Sequence, residues 1–205
     1  MTYQIIPFDL DRKLETELEA GEKIEWKGMP VPRLFKTDTI GAFLFSIPWT
    51  AFAIFWMCGA AGFKAPDFSE GFHPLMLFPL FGLPFVAIGL AMMFSPIWSY
   101  LKDLKTVYAI TNKRVIIMTG GKSLEVKSLK ADSIKELTRR ERGHTGDLII
   151  SHINWRDSDN DLHTKEIGLF NIPEVREAQK ALQKLIDQNS QSQVESESNG
   201  WRLKE

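Results

Sequence analysis

The chain has 205 residues, of which 25 are Lys or Arg and 26 are Asp or Glu, and its formal net charge is −1. This balance excludes a generally basic nucleic-acid-binding protein, so an electrostatic partner requires a local patch. The single cysteine, Cys58, excludes an internal disulfide and a cysteine-based metal framework. The sequence contains no P-loop, dinucleotide-binding or HExxH motif. We therefore predict no cofactor, no metal and no nucleic-acid partner.

Residues 1–37 are predicted to form a cytoplasmic N-terminal segment with one short helix and one strand. Leu10, Leu14 and Leu18 recur at every fourth position among charged side chains, which is typical of an amphipathic helix. The sequence GEKIEWKGMP that follows indicates a short strand. Because this piece is too small to fold alone, we expect it to dock on the downstream domain or on the membrane surface.

Two long stretches then lack any Asp, Glu, Lys or Arg, from Thr39 to Phe63 and from Gly71 to Leu101. A helix of about 20 apolar residues crosses a hydrocarbon core of about 30 Å, and both stretches exceed this length. We predict transmembrane helices at residues 38–63 and 73–100, joined as an antiparallel hairpin by an extracytoplasmic loop at 64–72. Prolines within them remove backbone donors and are expected to kink the helices. These prolines are Pro48, Pro79, Pro84 and Pro96.

Positive charges flank the two stretches on one side. They are Lys23, Lys27, Arg33 and Lys36 before the first stretch, and Lys102, Lys105, Lys113 and Arg114 after the second. The connecting loop has only Lys64, with Asp67 and Glu70. Because Lys and Arg accumulate on the cytoplasmic side, both termini are predicted to face the cytoplasm. The sequence thus predicts an integral, multi-pass protein of the cytoplasmic (inner) membrane.

The apolar stretches offer little chemistry for transport. Trp49 and Trp56 are seven residues apart, on one helical face, and are predicted to pack against the second helix or lipid. Ion pathways normally place ionisable groups inside the membrane, whereas here His73 lies at the mouth of the second stretch. For this reason a small oligomeric channel or transport-accessory subunit ranks second, as the alternative function.

Residues 101–188 have the length and the pattern of one compact α+β domain. TVYAIT and RVIIMT flank a Thr-Asn-Lys turn, and KSLEVKSL, DLIISHINW and LHTKEIGLFNI indicate further strands. Pro173 then opens an amphipathic helix that is expected to cover the sheet. Its apolar face consists of Val175, Ala178, Leu182 and Leu185. The polar tail, residues 189–205, is predicted to be disordered.

The order of GEKIEWKGMP, two apolar stretches, YAITNKRVII, TGDLIIS and LFNIPEVREAQKALQKLI resembles small membrane-anchored proteins with a bacterial pleckstrin-homology-like (PH-like) domain. The strand that begins this domain has the pattern Tyr-x-Ile-Thr-x-x-Arg, matched here by Tyr108, Ile110, Thr111 and Arg114. The resemblance covers residues 21–186. It implies a bent β-sandwich or open barrel capped by a C-terminal helix. It also implies a binding or assembly module without a catalytic site.

Basic residues are the candidates for a binding surface. Arg114 has two interpretations, a cross-strand pair or a grip on phosphate. Arg139, Arg140 and Arg142 form the densest basic cluster, and Lys122 lies near a turn. Because the domain is expected to be tethered beneath an anionic leaflet, these residues are candidate contacts for anionic lipid or for a partner protein. The alternative is a solvated strand face without a partner.

Enzymatic and calcium-binding interpretations fit the sequence less well. Ser151 and His152 are adjacent on a strand, so they point to opposite faces and cannot form a nucleophile–base pair. Asp157, Asp159 and Asp161 lack the Gly and the final Glu of a calcium loop. We predict a non-enzymatic membrane protein whose PH-like domain binds membrane lipids, an unknown membrane or cytoplasmic protein, or a second copy in a homo-oligomer.

Overall fold

The structure, a computed structural model, describes residues 6–63, 74–121, 123–134, 136–156 and 159–202. The chain divides into two compact units. Unit 1 comprises Met1–Pro32 and Lys102–Glu205, and unit 2 comprises Arg33–Leu101. The apolar unit is therefore an insertion within the chain of unit 1.

The described part of unit 1 contains two antiparallel sheets, two α-helices and a short 3₁₀ helix, Ala131–Ser133. The first sheet has the order β1-β2-β3-β4, with strands Ile24–Gly28, Thr106–Thr111, Arg114–Thr119 and Glu125–Lys130. The second has the order β5-β6-β7, with strands Thr138–Arg142, Thr145–Arg156 and Leu162–Pro173. The helices are α1, Phe8–Thr16, and α5, Val175–Arg202. This arrangement confirms the α+β class with a C-terminal helix and is consistent with a PH-like fold.

The first sheet is covered on both faces, which explains why β2 is buried at every position. One face, with Tyr108, Ile110 and Val115, packs into a core with the second sheet and α5. The predicted apolar face of α5 forms part of this core and is thereby confirmed. Its members are Val175, Ala178, Leu182 and Leu185.

Helix α1 covers the other face of the first sheet. Leu10 and Leu14 pack there in a second core. The strand residues in this core are Val107, Ala109, Ile116 and Met118. Strand β1 pairs antiparallel with β2, with Gly28 opposite Tyr108. The N-terminal segment thus docks on the downstream domain, which was one of the two expected positions, and it adds an edge strand to the sheet.

Unit 2 contains the apolar stretches. Helix α2 spans Thr37–Ala60 and continues past Pro48. A 3₁₀ helix, Pro74–Gly82, then precedes α3, Leu83–Met93, and α4, Ser95–Asp103. Within the described part of the second stretch, residues 74–101, the chain thus forms three helical pieces and not one continuous α-helix. The physical reason lies in three prolines: Pro79 lies in the 3₁₀ helix, Pro84 in the first turn of α3 and Pro96 in the first turn of α4.

Among the described residues, one helix, Thr39–Ala60, is long and apolar enough to cross a membrane. A second candidate exists if Leu77–Met93 and Ser95–Asp103, which meet at an angle of 41°, form one bent span. The predicted loop at residues 64–72 lies outside the described residues.

The tryptophans of α2 pack against the second apolar stretch, as expected. The Trp49 indole Nε1 donates a hydrogen bond of 3.1 Å to the carbonyl oxygen of Phe85. The ring centroids of Trp56 and Phe78 lie 5.6 Å apart. Gly89 permits the close approach of α2 and α3, because a Cβ atom there would overlap the Thr50 side chain.

Helix α5 is longer than the sequence predicted. It extends to Arg202, whereas we expected the helix to end near residue 188 and the tail from 189 to be disordered. No proline interrupts residues 175–202, and Gln and Glu are good helix formers. Local propensity therefore continues the helix beyond the part that packs on the sheets.

Candidate functional site

The β2–β3 turn, which holds the Thr-x-x-Arg pattern, fastens the N-terminal segment to the domain. The Thr111 hydroxyl accepts hydrogen bonds from the backbone N–H groups of Lys113 and Arg114, at 3.2 and 3.0 Å. It donates to Glu22 Oε1 at 2.7 Å. Thr111 thus shapes a tight turn and also contacts a residue far away in the sequence.

Glu22 lies at the centre of this contact and is only 8% exposed. Arg114 grips its carboxylate with two hydrogen bonds, Nε to Oε1 and Nη2 to Oε2, both of 3.0 Å. The backbone N–H of Glu19 donates a third hydrogen bond at 2.8 Å. A buried carboxylate is costly unless it is paired and hydrogen-bonded, and here both conditions are met.

Further hydrogen bonds join the turn to the same N-terminal segment. Asn112 exchanges two hydrogen bonds with the backbone of Lys23, at 2.8 and 3.0 Å. Arg114 Nη2 also donates to the carbonyl oxygen of Glu17, and its Nη1 donates to Ser128 Oγ. We call Glu22, Thr111, Asn112 and Arg114 the N-terminal clamp.

Tyr108, the first residue of the pattern, is a core residue. Its side chain is 6% exposed and packs in the core between the sheets and α5. Burial raises the pKa of Tyr108 to about 12, against the lowering effect of a hydrogen bond with the backbone of Phe170. The hydroxyl therefore stays protonated at neutral pH.

The predicted arginine cluster is divided between two faces of β5. Arg139 contacts Gln179 of α5 and lies 3.2 Å from Glu141. Arg140 makes two hydrogen bonds to Glu166 of β7, at 3.1 and 2.8 Å. Arg142 is exposed and lies on the same face of β5 as Arg140, opposite to the face of Arg139 and Glu141. Adjacent strand residues point to opposite faces, so the three arginines do not form one patch.

The other two predicted contact residues do not extend this cluster. Lys122 lies outside the described residues. The guanidinium of Arg114 donates hydrogen bonds to Glu22, Glu17 and Ser128. These contacts favour the structural interpretation of Arg114 over a grip on phosphate.

The residues considered for catalysis and metal binding are separated. His152 Nδ1 lies 3.2 Å from Glu136 Oε2, and Ser151 is on the opposite face of β6. Asp157 lies outside the described residues. The described residues contain no group of three or more His, Cys, Asp or Glu placed to hold a metal ion.

Comparison with protein families identifies this fold. The family model for the bacterial PH domain matches residues 38–186. The chain belongs to the bacterial PH domain family. The match begins within α2, so α1 and β1 lie outside it although they complete the PH domain of this chain. A search of curated proteins and a search of solved structures each gave no match.

Sequence reasoning missed Glu22 as the partner of Arg114 in the PH domain. The two residues are 92 positions apart, and the apolar unit lies between them. The available signal was the acidic Glu22 at the start of GEKIEW, together with Arg114 at the start of the otherwise apolar strand RVIIMT. Such a buried arginine requires an anionic partner.

The clamp predicts an acid-sensitive PH domain. Burial alone raises the pKa of Glu22, but hydrogen bonds from Arg114, the Glu19 backbone and Thr111 lower it from 4.5 to about 2. A lowered folded-state pKa contributes stability that is present above pH 4.5 and is lost as the pH falls towards 2. At neutral pH we expect this contribution to be about 3 kcal/mol.

The measurement is the free energy of unfolding of the full chain in mild detergent over this pH range. A Glu22→Gln control should be less stable at neutral pH and should have a flatter pH dependence. Parallel pH profiles for the parent and Glu22→Gln would contradict the assignment.

Proposed function

We propose that this protein is an integral membrane protein in which a two-helix hairpin anchors one cytoplasmic PH domain. The domain acts as a non-enzymatic binding module for a protein partner, for a second copy of the chain or for the inner leaflet. Family membership supports the binding role, and the apolar unit supports the anchor.

The insertion point of the apolar unit carries this proposal. Strand β1 ends at Gly28 and β2 begins at Thr106, and these two strands are hydrogen-bonded neighbours in one sheet. Both ends of Arg33–Leu101 therefore lead, along the chain, to the same end of one sheet. An odd number of membrane crossings would place β1 and β2 on opposite sides of the bilayer. Two crossings, one for each apolar stretch, keep β1 and β2 on the same side.

The composition of the stretches supports the same topology. Neither contains Asp, Glu, Lys or Arg, so no charged side chain has to enter the hydrocarbon. The bend of 41° between the two parts of the second stretch agrees with a proline-containing span, because membrane helices tolerate such breaks when neighbouring groups satisfy the backbone. The excess of Lys and Arg on the flanks supports cytoplasmic termini.

The arginines of β5 remain the proposed contact for an acidic partner surface. Arg140 and Arg142 occupy alternate positions of the strand, on the face away from Gln179, and both are exposed. Only Arg140 has a carboxylate partner among the described residues, Glu166. Asp147 lies opposite Arg140 in the strand register, so Arg142 is the charge of this face that we propose an acidic partner neutralises.

Changing Arg139, Arg140 and Arg142 to Ala should leave the fold intact, because exposed ion pairs contribute about 0 to 1 kcal/mol each. It should reduce the set of proteins that co-purify with the full chain from mild detergent at low salt, and high salt should have the same effect on the parent. The measurement is quantitative mass spectrometry of the co-purified proteins.

The matched control removes three other exposed charges, Arg12, Lys13 and Lys180, and should retain the parent's partners. Identical partner sets for the parent and the β5 variant would remove this strand as a contact surface. Salt-independent ion flux through liposomes containing the purified chain would instead favour the channel alternative.

A further inference from the structure

One end of the PH domain collects the chain segments that adjoin the apolar unit. The chain leaves the first sheet after Gly28 and returns at Thr106, whose hydroxyl donates to the carbonyl oxygen of Lys102 at 2.9 Å. Thr106 is paired with Thr119 at the end of β3, and Thr119 is paired with Glu125 at the start of β4. The β3–β4 turn therefore lies at the same end of the domain.

A backbone contact fixes this turn against the returning chain. The N–H of Gly120 donates a hydrogen bond of 2.7 Å to the carbonyl oxygen of Lys105. Lys102, Lys105 and Gly120 thus lie together within unit 1.

Exposed lysines from three parts of the chain lie at this end of the domain. Lys102 and Lys105 precede β2, Lys127 lies on β4 and Lys165 lies on β7. The Glu125 carboxylate is 2.9 Å from Lys127 Nζ. The pKa of Glu125 is lowered first by its hydrogen bond with Lys127 and also by the charges of Lys102 and Lys165. Lys127 thus pairs with this carboxylate and Lys102 and Lys165 act on it through their charges, so the local charge is positive.

Two exposed leucines lie among these lysines. Leu104, between Lys102 and Lys105, is 42% exposed, and Leu124, directly before β4, is 38% exposed. Apolar side chains beside lysines, whose long stems bury in apolar surroundings while their charges stay in water, are typical of surfaces that lie in a membrane interface. On β5, by contrast, Arg139 and Arg140 each have a carboxylate within 3.2 Å, whereas Glu125 is the carboxylate that pairs with one of the four lysines here.

We propose that this end of the PH domain binds the anionic phospholipid headgroups of the leaflet from which the apolar unit emerges, through Lys102, Lys105, Lys127, Lys165, Leu104 and Leu124. We call these residues the headgroup surface. The inference rests on the proposed membrane anchor. Lys102 directly follows Leu101, the last residue of the second apolar stretch, so the tether itself holds the surface at headgroup level. Lysine charge complements lipid phosphate, and nearby basic residues add to membrane attachment.

A fluorescence experiment on the full chain tests this contact. A bimane probe is attached through Ser123→Cys, at an exposed position beside Leu124, in a Cys58→Ser background. The protein is placed in nanodiscs that contain lipids brominated near the headgroup, either zwitterionic alone or mixed with phosphatidylglycerol. We expect quenching at least about twofold stronger in the anionic discs, with a decrease at high salt.

Matched variants locate the contact. Lys105→Gln, Lys127→Gln and Lys165→Gln together should abolish the difference between the two lipid mixtures. The corresponding three Arg substitutions should retain it, as should Arg139→Gln, Arg140→Gln and Arg142→Gln, which remove the same charge from β5. Equal quenching in both lipid mixtures would overturn the proposal. So would a lipid-dependent difference that falls equally in the Lys→Gln variant and in the Arg→Gln variant of β5.

A separate measurement tests the proposed membrane anchor. Alkaline extraction of the same protein from liposomes should leave an integral protein in the membrane. A chain that resists extraction but shows no lipid-dependent quenching would overturn the headgroup surface alone, whereas an extracted chain would overturn the proposed anchor as well.

Discussion

Replacing Arg114 by methionine is expected to lower the free energy of unfolding of the PH domain by about 3 to 5 kcal/mol. The substitution leaves the Glu22 carboxylate, whose side chain is fully enclosed, without its two-point partner. The desolvated charge then either remains buried or draws water into the contact between β1 and the β2–β3 turn, and both outcomes are costly. The measurement is chemical unfolding of the full chain in mild detergent, followed by far-ultraviolet circular dichroism.

Two further variants separate the buried pair from general loss of charge. Lys113→Met, at the neighbouring exposed position, should cost less than about 1 kcal/mol, because its ion pair with Glu19 is exposed. Glu22→Gln combined with Arg114→Met should recover much of the lost stability, since no charge is then stranded. A loss in Arg114→Met no larger than in Lys113→Met would show that the clamp contributes little.

Leu182→Asp is the second change with a large expected effect. Leu182 is completely buried in the core between α5 and the sheets. An aspartate there loses the apolar packing and buries an unpaired charge, so we expect a loss of several kcal/mol and a PH domain that does not fold.

The matched control is Gln183→Asp, one residue further along the helix at an exposed position. It should leave the melting temperature nearly unchanged, because exposed helix positions tolerate such changes. An unchanged melting temperature in Leu182→Asp would contradict the packing of α5 described above.

Local patterns were sufficient to predict most of the PH domain. Alternation and turn residues located β2 and β3, and the period of the apolar residues after Pro173 located the packed face of α5. The pairing of β1 with β2 had no local signal, because the whole apolar unit separates them in the sequence. A long-range pairing of this kind depends on which hydrophobic face remains uncovered, and only the folded sheet defines that face.

Two other differences have simple physical causes. The prolines of the second apolar stretch were expected to kink one helix, yet they divide it into a 3₁₀ helix and two α-helices, since each removes a hydrogen bond and restricts the preceding residue. Arg139 and Arg140 were predicted as neighbours in one cluster, although strand geometry alone places adjacent residues on opposite faces. The headgroup surface escaped sequence analysis because only the fold brings Lys102, Lys127 and Lys165 within electrostatic range of Glu125.

The central claim is that one PH domain is assembled from both sides of an inserted membrane hairpin. Single cysteines at Glu15 in α1, Ser69 in the predicted loop at residues 64–72 and Ser190 in α5, in a Cys58→Ser background, test it directly. The probe is a membrane-impermeant thiol reagent on right-side-out spheroplasts. We predict that Ser69→Cys is labelled in intact spheroplasts, whereas Glu15→Cys and Ser190→Cys are labelled only after permeabilisation. Labelling of Glu15→Cys and Ser190→Cys from opposite sides would separate β1 from β2 and contradict the claim.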